Sequence, residues 1–501
     1  MNDSTWKYLV TSFLVFSLLS LTVICNVEAQ NKFVLRSEQH WDTYGVGGTC
    51  DHGSNDLFIA DVDGDGINEI IVGGFTYNMI NGSRTTLQAP LTTWNWNGQN
   101  FTLKSSCKWP GTIEVVYAAD VDSDGAKEVI TAGEFTNESG TFSSLRVWHW
   151  SNGAFSLEAH YEGISVSSIF VSTLNNKGTP EIFATGSFDA DSQHTAQLFL
   201  WHLEGNSLIL DNNWSLDAAN VTSSSSVYVS NVTKDGQIEI FTAGYSGNLN
   251  DSKGQLCTWY LNGTTLSLKA NQEWQMQSGG YAPNIAGGIL GNTVVNNLKV
   301  GDVDGNGVPE IVTGGFTYDG SKAEGQLRIW NWNGSALNLL GSREWINDDI
   351  TEVLSVSLGN VDSDSSIEIV TGGMLAPYGS FNTNATKPDR GQVSVWSWNG
   401  KTLTLKESED WTLAEGVSVW NVGTADLNND GKVEIVSCGC ISFNRLCDPD
   451  MRIWSIMQSS SEEAFSALPL LLLATIVAIL VSAVIFMVAK RRIVKANRTI
   501  L

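Results

Sequence analysis

Nine-residue acidic loops carry the residues of this sequence whose types and spacing could bind a metal ion. The first loop, 61–69, places oxygen-bearing side chains at its positions 1, 3, 5 and 9 and a glycine at position 6. Ca²⁺ takes six to eight oxygen ligands, and a glycine permits the sharp bend that wraps one loop around an ion. Side chains at positions 1, 3 and 5, a main-chain carbonyl at position 7 and a carboxylate at position 9 could supply those ligands. The loop therefore predicts a Ca²⁺ site.

Three further loops repeat this pattern, and a looser copy at 360–368 has Asn360 at position 1 and Ser365 at position 6. The sequence therefore predicts about four or five Ca²⁺ ions. The alternative is a solvated acidic turn without an ion, but carboxylates held this close would repel one another by about 1 kcal/mol per pair. The predicted ligands are Asp61, Asp63, Asp65, Ile67 and Glu69; Asp120, Asp122, Asp124, Ala126 and Glu128; Asp302, Asp304, Asn306, Val308 and Glu310; Asn360, Asp362, Asp364, Ser366 and Glu368; and Asp426, Asn428, Asp430, Lys432 and Glu434.

Two more copies of the loop keep its frame but lose its acids. In the copy 173–181, Lys177 stands at position 5, where its ammonium could replace an ion. The copy 231–239 carries Asn231 and Thr233 in place of two carboxylates. We expect this fourth loop in chain order to hold no ion.

The seven loops belong to a longer repeat, whose copies predict four short strands each. In the first copy these strands are 57–60, 69–72, 91–96 and 101–103, with an Asn97-Gly98 hairpin turn before the last one. Four-stranded units repeated radially form β-propellers of four to eight blades. Seven units therefore predict an all-β fold, a seven-bladed β-propeller with four-stranded blades.

The two ends of the repeat array predict how the ring closes. The last unit ends with a third strand around Trp454 and lacks a fourth. Residues 33–41 match the fourth strand and following residues of the preceding unit, 403–411. The N-terminal strand is therefore expected to complete the last blade, which removes an exposed sheet edge. A tryptophan near the end of most fourth strands, such as Trp109 or Trp411, is expected to pack between blades rather than to bind carbohydrate.

The loop followed by Val72-Gly-Gly-Phe75, and again by Val312-Thr-Gly-Gly-Phe316, resembles the FG-GAP/VCBS repeat family, which includes the propellers of integrin α subunits. The resemblance covers residues 33 to 456. It implies that each loop joins the first and second strands of a blade and that its ion is structural. It also implies a calcium-binding protein of the cell surface that acts in adhesion.

Apolar segments near both termini predict an exported, membrane-anchored chain. Residues 1–29 read as a signal peptide, the alternative being an uncleaved anchor. The propeller ectodomain spans 31–457 and a short stalk spans 458–463. Residues 464–489 are 26 residues without a charge and predict a transmembrane helix. The basic tail 490–501 places the C-terminus in the cytoplasm and the propeller outside. We expect the ion-bearing edge to face the membrane.

Cysteines and sequons agree with export. Cys440–Cys447 and Cys50–Cys107 are the candidate disulfides, while Cys257 lies on a tryptophan-bearing strand and could simply be buried. Ten Asn-x-Ser/Thr sequons predict a glycoprotein: Asn81, Asn100, Asn137, Asn213, Asn220, Asn231, Asn250, Asn262, Asn333 and Asn384.

Two classes of function remain open. The formal net charge of −25 argues against nucleic acid as a partner. The first class is adhesion or recognition, with a protein or glycan ligand at the loops away from the membrane. The second is an exported enzyme, a polysaccharide lyase or hydrolase, although the six histidines are scattered and form no catalytic motif. A structural envelope glycoprotein is a further alternative. The sequence predicts no catalytic residue and no organic cofactor.

Overall fold

The structure is a computed structural model that describes residues 31–40, 56–80, 83–173, 178–188, 196–234, 236–247, 252–275, 293–318, 322–348, 350–362, 364–377, 388–413, 416–443 and 446–458. Strands make up nearly all of this part of the chain. They are β1 (Asn31–His40), β2 (Asp56–Ala60), β3 (Glu69–Gly73), β4 (Thr76–Ile80), β5 (Ser83–Trp96), β6 (Phe101–Pro110), β7 (Val115–Ala119), β8 (Glu128–Asn137), β9 (Gly140–Ser151), β10 (Ala154–Glu162), β11 (Ile164–Ser172), β12 (Glu181–Phe188), β13 (Gln197–Glu204), β14 (Ser207–Ser215), β15 (Val221–Ser230), β16 (Glu239–Ser246), β17 (Lys253–Asn262), β18 (Thr265–Trp274), β19 (Thr293–Gly301), β20 (Glu310–Tyr318), β21 (Ala323–Trp332), β22 (Leu337–Trp345), β23 (Ile350–Gly359), β24 (Glu368–Ala376), β25 (Arg390–Trp398), β26 (Leu403–Trp411), β27 (Gly416–Ala425), β28 (Glu434–Phe443) and β29 (Leu446–Gln458), with one 3-10 turn at Asp217–Ala219.

Six antiparallel sheets form from these strands. Four sheets have four strands each, in the orders β1-β29-β28-β27, β10-β9-β8-β7, β11-β12-β13-β14 and β15-β16-β17-β18. A fifth contains β2, β3, β5 and β6, with β4 added on β5. The sixth has eight strands, β19 to β26, and a single parallel residue pair, Ala323 with Ile350, connects its two halves. The prediction of seven separate four-stranded sheets is therefore wrong in number: five sheets are single units, and the sixth joins two.

The sheets are arranged as a β-propeller around a central cavity. The first strand of each unit contributes to the cavity wall, from β2 at Asp56–Ile59 round to β27 at Trp420–Thr424. There Asn421 donates a hydrogen bond to Asp56, and Gly423 lies against Leu57 and Ile59. The last unit thus contacts the first.

The N-terminal strand completes the last sheet as predicted. β1 pairs with β29, and the ring of Phe33 meets that of Trp454 edge-on, with centroids 5.9 Å apart. The other end of the array differs from prediction. Residues 76–90, which lie between the predicted strands 69–72 and 91–96, form β4 and the first half of β5, with Thr76 paired to Gln88.

The second strand of each unit lies between its neighbours and is buried on both faces, as all residues of β16, β20 and β24 are. A bulge in the first strand brings its backbone against a glycine of the second strand. A Cβ on Gly315 would stand 2.0 Å from the carbonyl oxygen of Val294. This close approach explains the repeated Gly-Gly of the motif.

Tryptophans pack between units, which confirms the prediction made for them. Trp109 of β6 stacks on Trp148 of β9 at 4.4 Å, and Trp411 of β26 packs on Trp454 of β29 at 4.9 Å. In both pairs the fourth strand of one unit meets the third strand of the next. Contacts of this kind add to the burial of the rings themselves.

The cysteines agree only in part with the predicted pairs. Cys440 is disulfide-bonded, whereas Cys107, Cys257 and Cys438 are free thiols. Because Cys107 is a free thiol, the predicted Cys50–Cys107 disulfide is wrong. Cys50 itself lies outside the described residues. Burial raises the pKa of Cys257 to about 12, as expected of an apolar site.

Several predictions concern residues outside this part of the chain: the signal peptide 1–29, the transmembrane segment 464–489 and the basic tail 490–501. β29 ends at Gln458, one residue into the predicted stalk. Among the described residues, no helix is long and apolar enough to cross a membrane. By its contacts the chain divides into two compact parts, one of Phe33–Ser455 and the other of Met1–Lys32 with Ile456–Leu501. Of the latter part, only residues at the ends of β1 and β29 are described.

Candidate metal centres

Each acidic loop joins the first strand of a unit to the second, and its side chains fold the loop onto itself. In the first loop, Asp61 accepts the backbone N–H groups of Gly64 and Gly66 at 2.8 and 3.0 Å. Asp65 accepts the N–H of Ile67 at 2.8 Å. Gly66 has a φ of +84°, a left-handed conformation that side chains disfavour. The predicted role of the glycine at position 6 is therefore confirmed in this loop.

The glutamate at position 9 is the buried anchor of the loop. One oxygen of Glu69 accepts the backbone N–H of Val62 at 3.0 Å, and Glu310 accepts that of Val303 at 3.1 Å in the same way. Four further loops repeat this bond at Glu128, Glu239, Glu368 and Glu434. Because one oxygen holds the loop, only the other is directed to the loop's centre.

Four of the five predicted loops bring three carboxylates together, with one oxygen of each within 4.8 Å of the others. The sets are Asp61, Asp63 and Glu69; Asp120, Asp122 and Glu128; Asp302, Asp304 and Glu310; and Asp362, Asp364 and Glu368. The fifth loop, 426–434, has no such set in the part of the chain that the structure describes, because Asn428 replaces an acid. The main-chain carbonyls at position 7 remain predicted ligands.

Two of the loops contain an internal cation that sequence analysis missed. The ammonium of Lys104, on β6, contacts Asp63 and lies 3.1 Å from Asp65 and 3.0 Å from Glu69. Burial alone would lower the pKa of Lys104, but these three hydrogen bonds outweigh it and raise the pKa. The lysine thus occupies the centre of the carboxylate cluster.

Lys406 on β26 makes the same contacts in the loop 360–368. Its ammonium lies 2.6 Å from Asp362, 3.3 Å from Asp364 and 2.9 Å from Glu368. In both loops a +1 charge inside the protein neutralises part of the cluster. As arranged here, neither cluster fits a Ca²⁺ ion unless its lysine moves.

A β-bulge determines which residue reaches each loop. In each fourth strand described between β6 and β26, the register shifts by one residue opposite the tryptophan-bearing strand. In the first, second and sixth units the extra residue reaches the acidic loop. Bulges of this kind re-aim a side chain. The extra residues are Lys104, Glu158, Asp211, Lys269, Leu340 and Lys406. In the sequence, the bulge residue of each fourth strand is the one that follows the second apolar residue of that strand, as Lys104 follows Leu103.

In the loop 302–310 the bulge residue is Leu340, and no lysine or arginine among the described residues forms an ion pair with its acids. Lys234 donates only to the backbone carbonyl of Gly307, at 2.8 Å. Oδ1 of Asp302 is buried and accepts no hydrogen bond. Burial and the two neighbouring aspartates raise the pKa of Glu310 to about 7. A buried oxygen without a donor, next to two further carboxylates, fits a divalent cation chemically.

The loop 120–128 is the other cluster without a lysine. Burial, together with Asp122 and Asp124, raises the pKa of Glu128 to about 7. Its bulge residue is Glu158, which adds a fourth carboxylate. This cluster therefore also fits a cation.

The two degenerate loops differ in how much of them is described. In the loop 231–239, Thr233 and Trp332 donate to one oxygen of Glu239 at 2.6 and 3.2 Å. Neutral donors thus satisfy the oxygen of Glu239 that faces the centre of the loop. Lys177 lies outside the described residues.

The central cavity is a second candidate site, of about 430 Å³. Phe58 and Tyr117 lie on one side with ring centroids 4.5 Å apart. Desolvation raises the pKa of Asp56 to about 6, although the hydrogen bond from the backbone N–H of Val116 acts to lower it. Lys299 also contributes to the wall, and burial lowers its pKa.

Comparisons with known proteins identify no family. No family model matches the chain, and no curated protein matches it. Among solved structures, the chain is similar to the crystal structure of Sqt1 from Chaetomium thermophilum, with 13% identity, over 81% of this chain and 83% of that chain, at a TM-score of 0.44. At that TM-score the likeness supports no function, and the FG-GAP/VCBS resemblance stays a prediction.

Proposed function

We propose that this chain is a seven-bladed, calcium-stabilised β-propeller of the FG-GAP/VCBS type that acts in recognition or adhesion at the cell surface. The eight-stranded sheet counts as two blades in this proposal, since among the described residues a single pair is the only backbone pairing between its halves. The observation that carries the proposal is the pair of carboxylate clusters in the loops 120–128 and 302–310, where no lysine or arginine lies against the acids among the described residues.

The structure changes the number of ions that we propose. Lys104 and Lys406 neutralise two of the five predicted loops from within. Ca²⁺ then binds with highest affinity at 120–128 and 302–310. It binds more weakly at 426–434, whose three carboxylates are not gathered within 4.8 Å of one another. We therefore propose two or three ions instead of four or five, each holding a loop between two strands rather than taking part in a reaction.

Calcium is expected to stabilise the full-length protein through these loops. At a free concentration 100 times the dissociation constant, each site adds about 2.7 kcal/mol to the free energy of unfolding. Asp304→Asn should remove one ion from the stoichiometry measured by isothermal titration calorimetry and reduce the rise in Tm that Ca²⁺ produces. Asp217→Asn, at an exposed aspartate away from the loops, is the control and should change neither value. A Tm that is unchanged by EGTA would exclude structural calcium.

The predicted signal peptide 1–29 and the predicted transmembrane helix 464–489 support a location at the cell surface. We assign recognition to the loops at the opposite edge of the propeller from the acidic loops. Epitope tags inserted at residue 382 of the full-length protein are expected to bind antibody on intact cells. The same cells should bind an immobilised glycan or protein ligand in Ca²⁺ and lose that binding in EGTA. Tags that become accessible only after permeabilisation would contradict the location.

The second candidate function is an enzyme or a small-ligand receptor that uses the central cavity. Burial and the nearby Glu134 raise the pKa of Glu114 to about 7, the pKa of Asp56 is also raised, and Lys299 lies in the same wall. Titratable groups with shifted pKa values inside a cavity are frequent at functional sites. Loss of an activity in Glu114→Gln, with calcium binding unchanged, would favour this candidate.

A further inference from the structure

The second unit carries a histidine and an additional glutamate beside its acidic loop. His149 lies on β9 between Trp148 and Trp150, and Glu158 is the bulge residue of β10. One ligand atom of Glu128, one of His149 and one of Glu158 lie within 4.8 Å of one another. Three neighbouring strands, β8, β9 and β10, therefore direct one ligand group each to a common point.

Two carboxylate oxygens at this point are buried and have no hydrogen-bond partner. Glu128 is fully buried, and its Oε2 already accepts the backbone N–H of Val121 at 3.0 Å. Its Oε1 accepts no hydrogen bond, and neither does the buried Oε2 of Glu158. A buried acceptor without a donor costs about 1–3 kcal/mol, and more when it is charged. A bound cation would satisfy both oxygens.

The imidazole indicates which class of cation fits. Nδ1 of His149 lies 3.5 Å from Oε1 of Glu128. Two ligands on one tetrahedral Zn²⁺ ion, with bonds of about 2.1 Å, are about 3.4 Å apart. Ca²⁺ takes oxygen ligands, whereas imidazole nitrogen suits Zn²⁺ and its neighbours in the first transition row.

We propose that Glu128, His149 and Glu158 form a Zn²⁺ site with one position open to water. The proposal shares Glu128 with the calcium loop and in that respect rests on the proposed function. Among the described residues, no other unit brings such a set within 4.8 Å, although the third unit carries Glu181, His202 and Asp211 at the corresponding places. The position of His149 is taken by Asn95 in the first unit and by Asn331 in the fifth. His202 in the third unit is paired with Asp211 at 2.8 Å.

Zinc titrated into the full-length protein in excess Ca²⁺ tests this site. We expect one Zn²⁺ per chain by calorimetry, with affinity lowered at least about tenfold in His149→Gln and in Glu158→Gln. His160→Gln is the matched control, because His160 also lies on β10 but is exposed and pairs with Glu162. In the wild-type protein loaded with Co²⁺, a paramagnetically shifted imidazole N–H should appear in the NMR spectrum.

Two results would overturn the proposal: no Zn²⁺ bound in excess Ca²⁺, or Zn²⁺ bound with equal affinity in the wild type and in His149→Gln. The side chain of His149 is 37% exposed, so both variants are expected to fold, and circular dichroism checks this. If His149→Gln does not fold, the Glu158→Gln titration and the Co²⁺ spectrum decide. Calcium stoichiometry on the same sample reports the loop 302–310 separately, so a failure of the calcium proposal would be recognised as such.

Discussion

Replacing Glu239 by alanine should destabilise the protein by about 3–5 kcal/mol, equally with and without calcium. Glu239 is fully buried and accepts three hydrogen bonds from neutral donors. Alanine leaves the N–H of Val232, the hydroxyl of Thr233 and the indole of Trp332 without an acceptor. Since Trp332 belongs to the next unit, the loss also weakens the contact between two units.

Thermal and urea unfolding, in Ca²⁺ and in EGTA, measure this effect. Glu239→Gln keeps one acceptor oxygen and should lose about half as much stability. Glu204→Ala, at an exposed hairpin glutamate, is the control and should stay within about 0.5 kcal/mol of the wild type. Calcium-dependent recovery of Glu239→Ala would contradict the argument, because it would show an ion in a loop whose centre is filled by neutral donors.

The comparison of Glu239 with Glu310 shows what the sequence alone could predict. The repeat spacing predicted both residues at the same place in their units, and the buried anchoring role follows from that place. The free oxygen of each glutamate has different neighbours, and these come from other strands. Trp332 lies 93 residues from Glu239 along the chain, so no local pattern reveals the contact.

The strands were predictable for a different reason. Asn97-Gly98 and similar turns, followed by apolar alternation, specify hairpins locally, and the structure has β5 and β6 on either side of that turn. The sheet count was less predictable. Fusion of two units depends on one pair, Ala323 with Ile350, and a single bridge has no sequence signal. The pairing of β4 with the first half of β5 likewise involves residues that lie outside the predicted strands.

The internal lysines depend on strand register in the same way. Opposite Thr93 and Trp94, the partners are Ser105 and Leu103, so Lys104 is the unpaired residue between them. Simple alternation would not direct its side chain to the loop 61–69. The bulge does so, and it converts a loop with the full acidic pattern into one with its own counter-ion. Acidic loops of one sequence pattern are therefore expected to differ in metal affinity through the bulge residue. This residue lies 35 positions after the terminal glutamate in the first loop and 38 positions after it in the loop 360–368.

Lys104→Met should convert the first loop into a calcium site. Without calcium, the variant is expected to be about 2–3 kcal/mol less stable than the wild type, because three carboxylates lose their shared cation while solvent screens part of the repulsion. With calcium, the ion replaces the ammonium, and the stoichiometry should rise by one. The expected outcome is thus a loss of stability in EGTA that calcium reverses, measured by unfolding and by calorimetry.

Lys406→Met should behave in the same way at the loop 360–368, and the double variant should bind two additional ions. Lys108→Met is the matched control, because Lys108 lies on the same strand as Lys104 but is exposed. If Lys104→Met binds no additional ion, the geometry of the carboxylates and not the lysine limits affinity in that loop. If it loses no stability in EGTA, the ammonium contributes nothing to the cluster. Either result would refute the division of the loops into lysine-neutralised and metal-binding classes.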